Sequence, residues 1–96
     1  MKLYILVRKD LTPSQQAVQT GHALAEFLLR NPDTEWNNGT LIYLGVKNEE
    51  ELEKWKFKLR MKEITFSEFR EPDMNCETTS IAAYCEERVF KNVELL

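Results

Sequence analysis

Leu3-Tyr4-Ile5-Leu6-Val7 is an unbroken apolar run between Lys2 and Arg8-Lys9-Asp10, the pattern of a strand buried on both faces. Thr12-Pro13-Ser14-Gln15 then starts a helix. Thr12 suits the cap, Pro13 the first helical position, and Gln15 completes a capping box. Asn31-Pro32 stops that helix near Arg30. At roughly 100° per residue, Ala17, Val18, Gly21, Leu24, Ala25, Leu28 and Leu29 share one broad apolar face, while Gln15, Gln19, His22 and Glu26 form a polar stripe on another side.

Asn37-Asn38-Gly39 marks a turn, and Thr40 to Val46 reads as a second buried strand in which Gly45 signals a bulge or a close backbone approach. Lys54 to Lys62 alternates polar and apolar like a half-buried strand. Asn48 as cap and Glu49-Glu50-Glu51 in a first turn argue instead for a helix over 48–62. Leu52, Trp55 and Leu59 then face inward, and Phe57 and Met61 point away from the core. Ile64 to Phe69 alternates as a third strand, Arg70 to Asp73 is a polar loop, and Thr78 to Cys85 is a fourth strand. Residues 86–96 are expected to form a short terminal helix on Val89, Val93 and Leu96. The order β-α-β-α-β-β-α requires a parallel first pair, and the short last loop allows a hairpin. The expectation is an α/β protein, one domain over 1–96, with a small mixed four-stranded sheet flanked by helices.

The chain has 13 Lys and Arg against 16 Asp and Glu, a formal net charge of -3, which argues against a general nucleic-acid binder. Lys54, Lys56, Lys58, Arg60 and Lys62 nevertheless stand in a segment without an acid, and such a patch can steer a polyanion. Two cysteines, Cys76 and Cys85, make no disulfide framework, and one histidine cannot build a zinc site. No run is long enough for a membrane span or a signal core, so a cytoplasmic protein without metal or cofactor is expected.

Three places can carry chemistry. The start of the first helix, near Arg8, Lys9 and Thr12, offers bare backbone N–H groups to an anion, although a cap alone explains Thr12. His22 neighbours Gln19 and Glu26 on the polar stripe and can act as a general base if a carboxylate orients it; the plainer reading is a solvated histidine. Glu71-Pro72-Asp73 brings two carboxylates into one loop, where they divide proton-transfer roles or simply make a turn. The 54–62 bases interleave with Trp55 and Phe57 as in RNA binders, or cover a solvated helix face.

Together these residues resemble the type 2 peptidyl-tRNA hydrolase family. Ala17, Gln19, His22 and Ala23 match its helix motif Gly-Lys-x-Ala-Ala-Gln-x-x-His-Ala, and Leu41 to Leu52 and Thr79 to Ala82 resemble its later elements. Gln15 stands where the family has a lysine. Glu71-Pro72-Asp73-Met74-Asn75-Cys76 stands where it has Asp-Ala-Gly-x-Thr-Gln. The resemblance implies a small mixed sheet with flanking helices, usually a homodimer, and hydrolysis of the ester between a peptidyl or N-blocked aminoacyl group and tRNA. It implies His22 or Glu71 as base and Gln19 as orienting or oxyanion group. Arg8, Lys9, Thr12, Gln15, Lys54, Lys56, Lys58, Arg60 and Lys62 would hold the tRNA. A non-catalytic relative that binds tRNA or a protein is the alternative.

Overall fold

A computed structural model describes residues 1–96. Strand β1 (Lys2–Arg8) leads into helix α1 (Pro13–Arg30), then β2 (Leu41–Val46), helix α2 (Glu49–Met61), β3 (Phe66–Glu71), β4 (Glu77–Cys85) and a two-residue β5 (Glu94–Leu95). The strands form one sheet in the order β3-β4-β1-β2-β5. β1 and β2 run parallel, as the βαβ opening requires, and the other pairs are antiparallel. The sheet is therefore mixed, but it has five strands. The terminal helix expected over 86–96 is replaced by a short 3-10 turn, Glu87–Phe90, and by β5, which pairs with the outer edge of β2. Phe90 still reaches the core, packing its ring 5.1 Å from Tyr4 and 4.9 Å from Trp55. Val89 and Val93, expected on a helical stripe, pack partly buried against the same cluster without a helix.

Thr12 and Gln15 make the capping box: the Gln15 N–H donates to Thr12 Oγ1 (3.2 Å) and the Thr12 N–H to Gln15 Oε1 (2.9 Å). At α2, the Glu51 N–H donates to Asn48 Oδ1 (3.1 Å). Each helix covers one face of the sheet. Leu52 and Leu59 of α2 pack on Tyr4, Leu6, Leu44, Ile81 and Ala83, while Ala23 and Phe27 of α1 pack on Leu3, Ile5 and Ala82. No helix is long and apolar enough to cross a membrane.

Two expectations about faces fail. The buried residues of α1 are Gln19, Thr20, Ala23 and Phe27. Of the predicted apolar face, Leu24 and Leu28 are half-buried, whereas Ala17, Val18, Gly21, Ala25 and Leu29 look outward. The helix is rolled about its axis so that a polar position faces the sheet. On β2, only Leu44 to Val46 are buried; Leu41 and Tyr43 are exposed. Gly45 is where the Lys9 side chain crosses the strand: a Cβ there would stand 2.5 Å from Lys9 Cε and 3.0 Å from its Cγ. The close approach is the correct alternative at Gly45, and the bulge lies elsewhere.

Candidate active site

That bulge lies between β3 and β4. Phe69 pairs with Ser80 and Arg70 with Thr78, so Thr79 is an extra residue on β4. Side chains of a regular strand alternate between faces. Here Thr78 turns toward α2, donating its hydroxyl to Glu53 and Glu68, while Thr79 and Ser80 both turn toward α1. The Thr79 hydroxyl donates to Gln19 Oε1 (2.6 Å), and the Ser80 hydroxyl donates to the Gln19 backbone oxygen (2.8 Å). Gln19 is 4% exposed and Thr79 fully buried, so this polar contact is shielded from water. The carbonyl is thereby fixed toward Thr79, and the amide nitrogen donates to Glu71 Oε1 at 2.8 Å. The backbone N–H of Asp73 reaches the other Glu71 oxygen at 3.4 Å. A chain of hydrogen bonds thus runs from the sheet interior to a carboxylate at its edge.

The loop that carries Glu71 is held by its own backbone. A 3-10 turn over Pro72–Met74 is followed by Asn75 and Cys76, both left-handed, at φ 55° and 58°. The Cys76 N–H closes back on the Glu71 carbonyl (3.0 Å). Between this loop and the start of α1 opens a cleft of about 360 Å³, lined by Ser14, Gln15, Val18, Gln19, Glu71, Asp73 and Met74.

The sequence candidates divide around this cleft. Gln15, Gln19 and Glu71 line it. His22 does not: it lies one turn further along α1, exposed, with its ring stacked flat on Phe69 at 4.3 Å and 6°. Glu26, the carboxylate expected to orient it, pairs with Arg30 instead. Thr12 stands at the helix cap, its hydroxyl already an acceptor there.

Arg8 is not a free phosphate contact. It is 7% exposed, and its guanidinium bonds Asp10 (2.9 Å), Glu77 (2.7 Å) and the Thr78 carbonyl (3.3 Å). Hydrogen bonding to Asp10 outweighs desolvation and holds Arg8 above its ordinary range, while Arg8 holds Asp10 below the usual carboxylate range. The residue pins the loop before α1 to the start of β4. Lys56 is likewise buried at 3% exposure, within 2.6 Å of Glu68 and 3.0 Å of Glu53, because its position on α2 faces the sheet.

The other bases stay outside. Lys54 pairs with Glu51, Lys58 lies over the Trp55 ring, and Arg60 lies over Phe66. Lys9 pairs with Glu94 on β5 (2.7 Å). A hollow of about 740 Å³ at the C-terminal ends of β1 and β2 is walled in part by Lys9, Lys47, Trp55 and Lys58. Another of about 740 Å³ lies at the opposite end of the sheet, between Phe27, Tyr84 and Val89, and among the candidates it touches only Lys62. Of the three, the smaller cleft is the one that brings Gln15, Gln19 and Glu71 together. No three His, Cys, Asp or Glu side chains gather to hold a metal ion.

Sequence reasoning missed Thr79 and Ser80 as partners of the site. Both were read only as strand residues, and the two-versus-one pairing that turns both toward Gln19 leaves no mark in composition or period.

No curated protein matches the chain significantly. A solved structure of a protein of unknown function from Agrobacterium tumefaciens strain C58 has a similar fold, with a TM-score of 0.74 and 13% identity over 99% of this chain and 96% of that one. The sequence profile described as "Peptidyl-tRNA hydrolase PTH2" matches residues 1–86 of the 96, and the chain belongs to that family.

Proposed function

We infer that the protein hydrolyses the ester joining a peptidyl or N-blocked aminoacyl group to the 3′ ribose of tRNA. The observation that carries this reading is the Glu71 carboxylate held at 2.8 Å by the Gln19 amide in a cleft at the start of α1. Glu71 takes a proton from a water as that water adds to the ester carbonyl. One N–H of Gln19 orients Glu71, and the other meets the negative charge that develops on the carbonyl oxygen. The carbon–oxygen bond to the ribose then breaks, and the proton held by Glu71 passes to the departing 3′ oxygen. His22, outside the cleft on Phe69, is left out of proton transfer. Lys9 and the outward bases Lys54 and Lys58 hold the RNA backbone, and Arg60 and Lys62 extend that contact along α2.

Family membership supports the substrate class. The reading also includes the cytoplasm as location and a homodimer. For the latter, exposed Val18 and Leu29 on α1 and Phe57 and Met61 on α2 are the apolar surfaces at hand. A second reading, a tRNA binder without catalysis, is favoured by two features: Gln15 is committed to the helix cap, and no cation lines the cleft.

Release of N-acetyl-aminoacyl groups from tRNA decides between them. Hydrolysis by the wild type and a loss of about 10²–10⁴-fold in kcat for Glu71→Gln are the expected results. Tight, salt-sensitive tRNA binding without release selects the second reading. Equal release by wild type and Glu71→Gln removes the assigned base.

A further inference from the structure

Helix α1 and strand β3 meet in two successive contacts. Gln19 bonds Glu71 at 2.8 Å, and His22 lies flat on Phe69, the ring centroids 4.3 Å apart and the planes within 6°. Three residues of helix and two of strand separate the contacts, about 4.5 Å along α1 and about 6.6 Å along β3. An aromatic platform therefore stands one step from the carboxylate assigned as base. Val18, which lines the cleft and precedes His22 by one helical turn, joins the two surfaces and is 54% exposed.

Only the stack fixes the imidazole. It enters none of the protein's hydrogen bonds or ion pairs, and Glu26 is taken by Arg30. Phe69 backs the ring and is half-buried, whereas His22 is exposed. Beside it, a Cβ at Gly21 would meet nothing within 4 Å. A ring covered on one face and open on the other can receive a second flat group.

The ester of the hydrolase reading brings one. The ribose that carries the acyl group also carries a nucleobase, one sugar's width from the ester. The CCA end of a tRNA is single-stranded, so that base has a free π-face, and single-stranded ends are held by stacking on His, Phe, Tyr or Trp. With the ester at Glu71, the base falls at the distance of His22. We propose that the outward face of His22 stacks on the 3′-terminal base of the tRNA and so places the ester at Glu71. The inference rests on the hydrolase reading and adds the terminal nucleobase to what the site recognises. His22 is a positioning residue and moves no proton.

Removing the aromatic partner of a stacked base weakens binding by a factor of about 5 to 100. The stack is made in the ground state and the transition state alike, so the loss falls on KM while kcat holds.

The experiment measures release of N-acetyl-leucine from one tRNA body with an intact or an abasic 3′-terminal nucleotide, with spontaneous release subtracted. It uses the wild type, His22→Ala, His22→Phe and His22→Lys, each checked by thermal melting. His22→Ala is expected to raise KM about 5- to 100-fold. His22→Phe restores the wild-type value; His22→Lys, which supplies charge without a flat face, does not. The abasic ester costs the wild type the same factor and costs His22→Ala nothing further. That factor holds as salt rises, whereas a phosphate contact would weaken. An unchanged KM in His22→Ala, rescue by Lys rather than Phe, or losses from variant and abasic ester that multiply would each overturn the stack and leave the hydrolase reading standing. No release of the intact ester by the wild type overturns both.

Discussion

The two helices cover opposite faces of one sheet and are oriented by different forces. α2 obeys its hydrophobic pattern: Leu52 and Leu59 are fully buried in a ten-residue cluster, while Phe57 and Met61 are 64% and 70% exposed. α1 does not. Its cluster holds five residues, its sheet-facing surface includes Gln19 and Thr20, and Val18 and Leu29 are 54% and 79% exposed. Turning apolar groups outward is tolerable only because Phe27 and Ala23 anchor the helix and the buried polar groups are paired. Gln19 bonds through its amide oxygen to Thr79, its amide nitrogen to Glu71 and its backbone oxygen to Ser80. Buried polar groups occur under both helices, but they differ in where they lead. Lys56 under α2 ends in a closed network with Glu53 and Glu68. Gln19 under α1 ends on a carboxylate that lines an open cleft. Here the helix rolled away from its apolar stripe borders the open cleft, and the one that follows its stripe covers the larger core.

Truncation at each helix's anchor tests that contrast with the largest effect. Leu59→Ala is expected to cost about 2–5 kcal/mol and Phe27→Ala about 3–5 kcal/mol in denaturant unfolding, because both leave cavities in packed layers. A Phe27→Ala cost near zero would mean that α1 is held by its polar contacts alone. Thr79→Val comes next. It leaves the buried Gln19 carbonyl without its donor, at about 1–3 kcal/mol of stability. It also frees the amide to turn from Glu71, so kcat falls about ten- to a hundredfold while KM holds. Thr79→Ser, which keeps the hydroxyl, restores the rate; an unchanged rate in Thr79→Val would detach the buried chain from the cleft.

How much of this was legible in the chain follows the same division. The first strand, both helices with their caps, the inward face of α2 and the parallel opening are written in local pattern and cap chemistry, which depend on neighbours a few residues apart. The roll of α1 depends on partners about 50 to 60 residues away, Glu71, Thr79 and Ser80, and no helical period can weigh them. Gln19, His22 and Glu71 were expected to converge in one cleft; Gln19 and Glu71 meet there, while His22 stands outside it on Phe69. Arg8 and Lys56 were misjudged for a related reason. Both are bases in exposed-looking contexts, and only the fold shows the carboxylates that surround them. The terminal segment has helical spacing, yet Val89, Phe90 and Val93 reach the core from a 3-10 turn and the stretch before β5.

Two ion pairs, Arg8 with Asp10 and Lys56 with Glu68, can be tested by acid. Arg8 holds Asp10 below the usual carboxylate range. Burial pulls Glu68 upward, but hydrogen bonding and charge from Lys56, with the Thr78 hydroxyl, carry it below that range. A carboxylate depressed in the folded state contributes stability that is fully present above its unfolded value of about 4 and is lost as pH falls through the folded value. Melting temperature is expected to hold from pH 7 to about 4.5 and then to fall. Asp10→Asn and Glu68→Gln should each flatten the fall, with the larger change for the more buried Glu68. Equal acid limbs in wild type and both variants would show that neither pair acts through its charge.

The smallest effect tests the roll of α1 most directly. If the helix were seated on its apolar stripe, Leu29→Lys would bury a charge and cost several kcal/mol. In the observed orientation Leu29 is 79% exposed, so the same substitution should change stability by less than about 0.5 kcal/mol. Phe57→Lys, equally outward on α2, should behave alike. Both belong in dilute protein, where any self-association through these apolar positions is reversed. A cost for Leu29→Lys that appears only as protein concentration rises would assign the outer face of α1 to an interface between copies. A cost that persists at the lowest concentration would instead return Leu29 to the core and remove the difference between the helices.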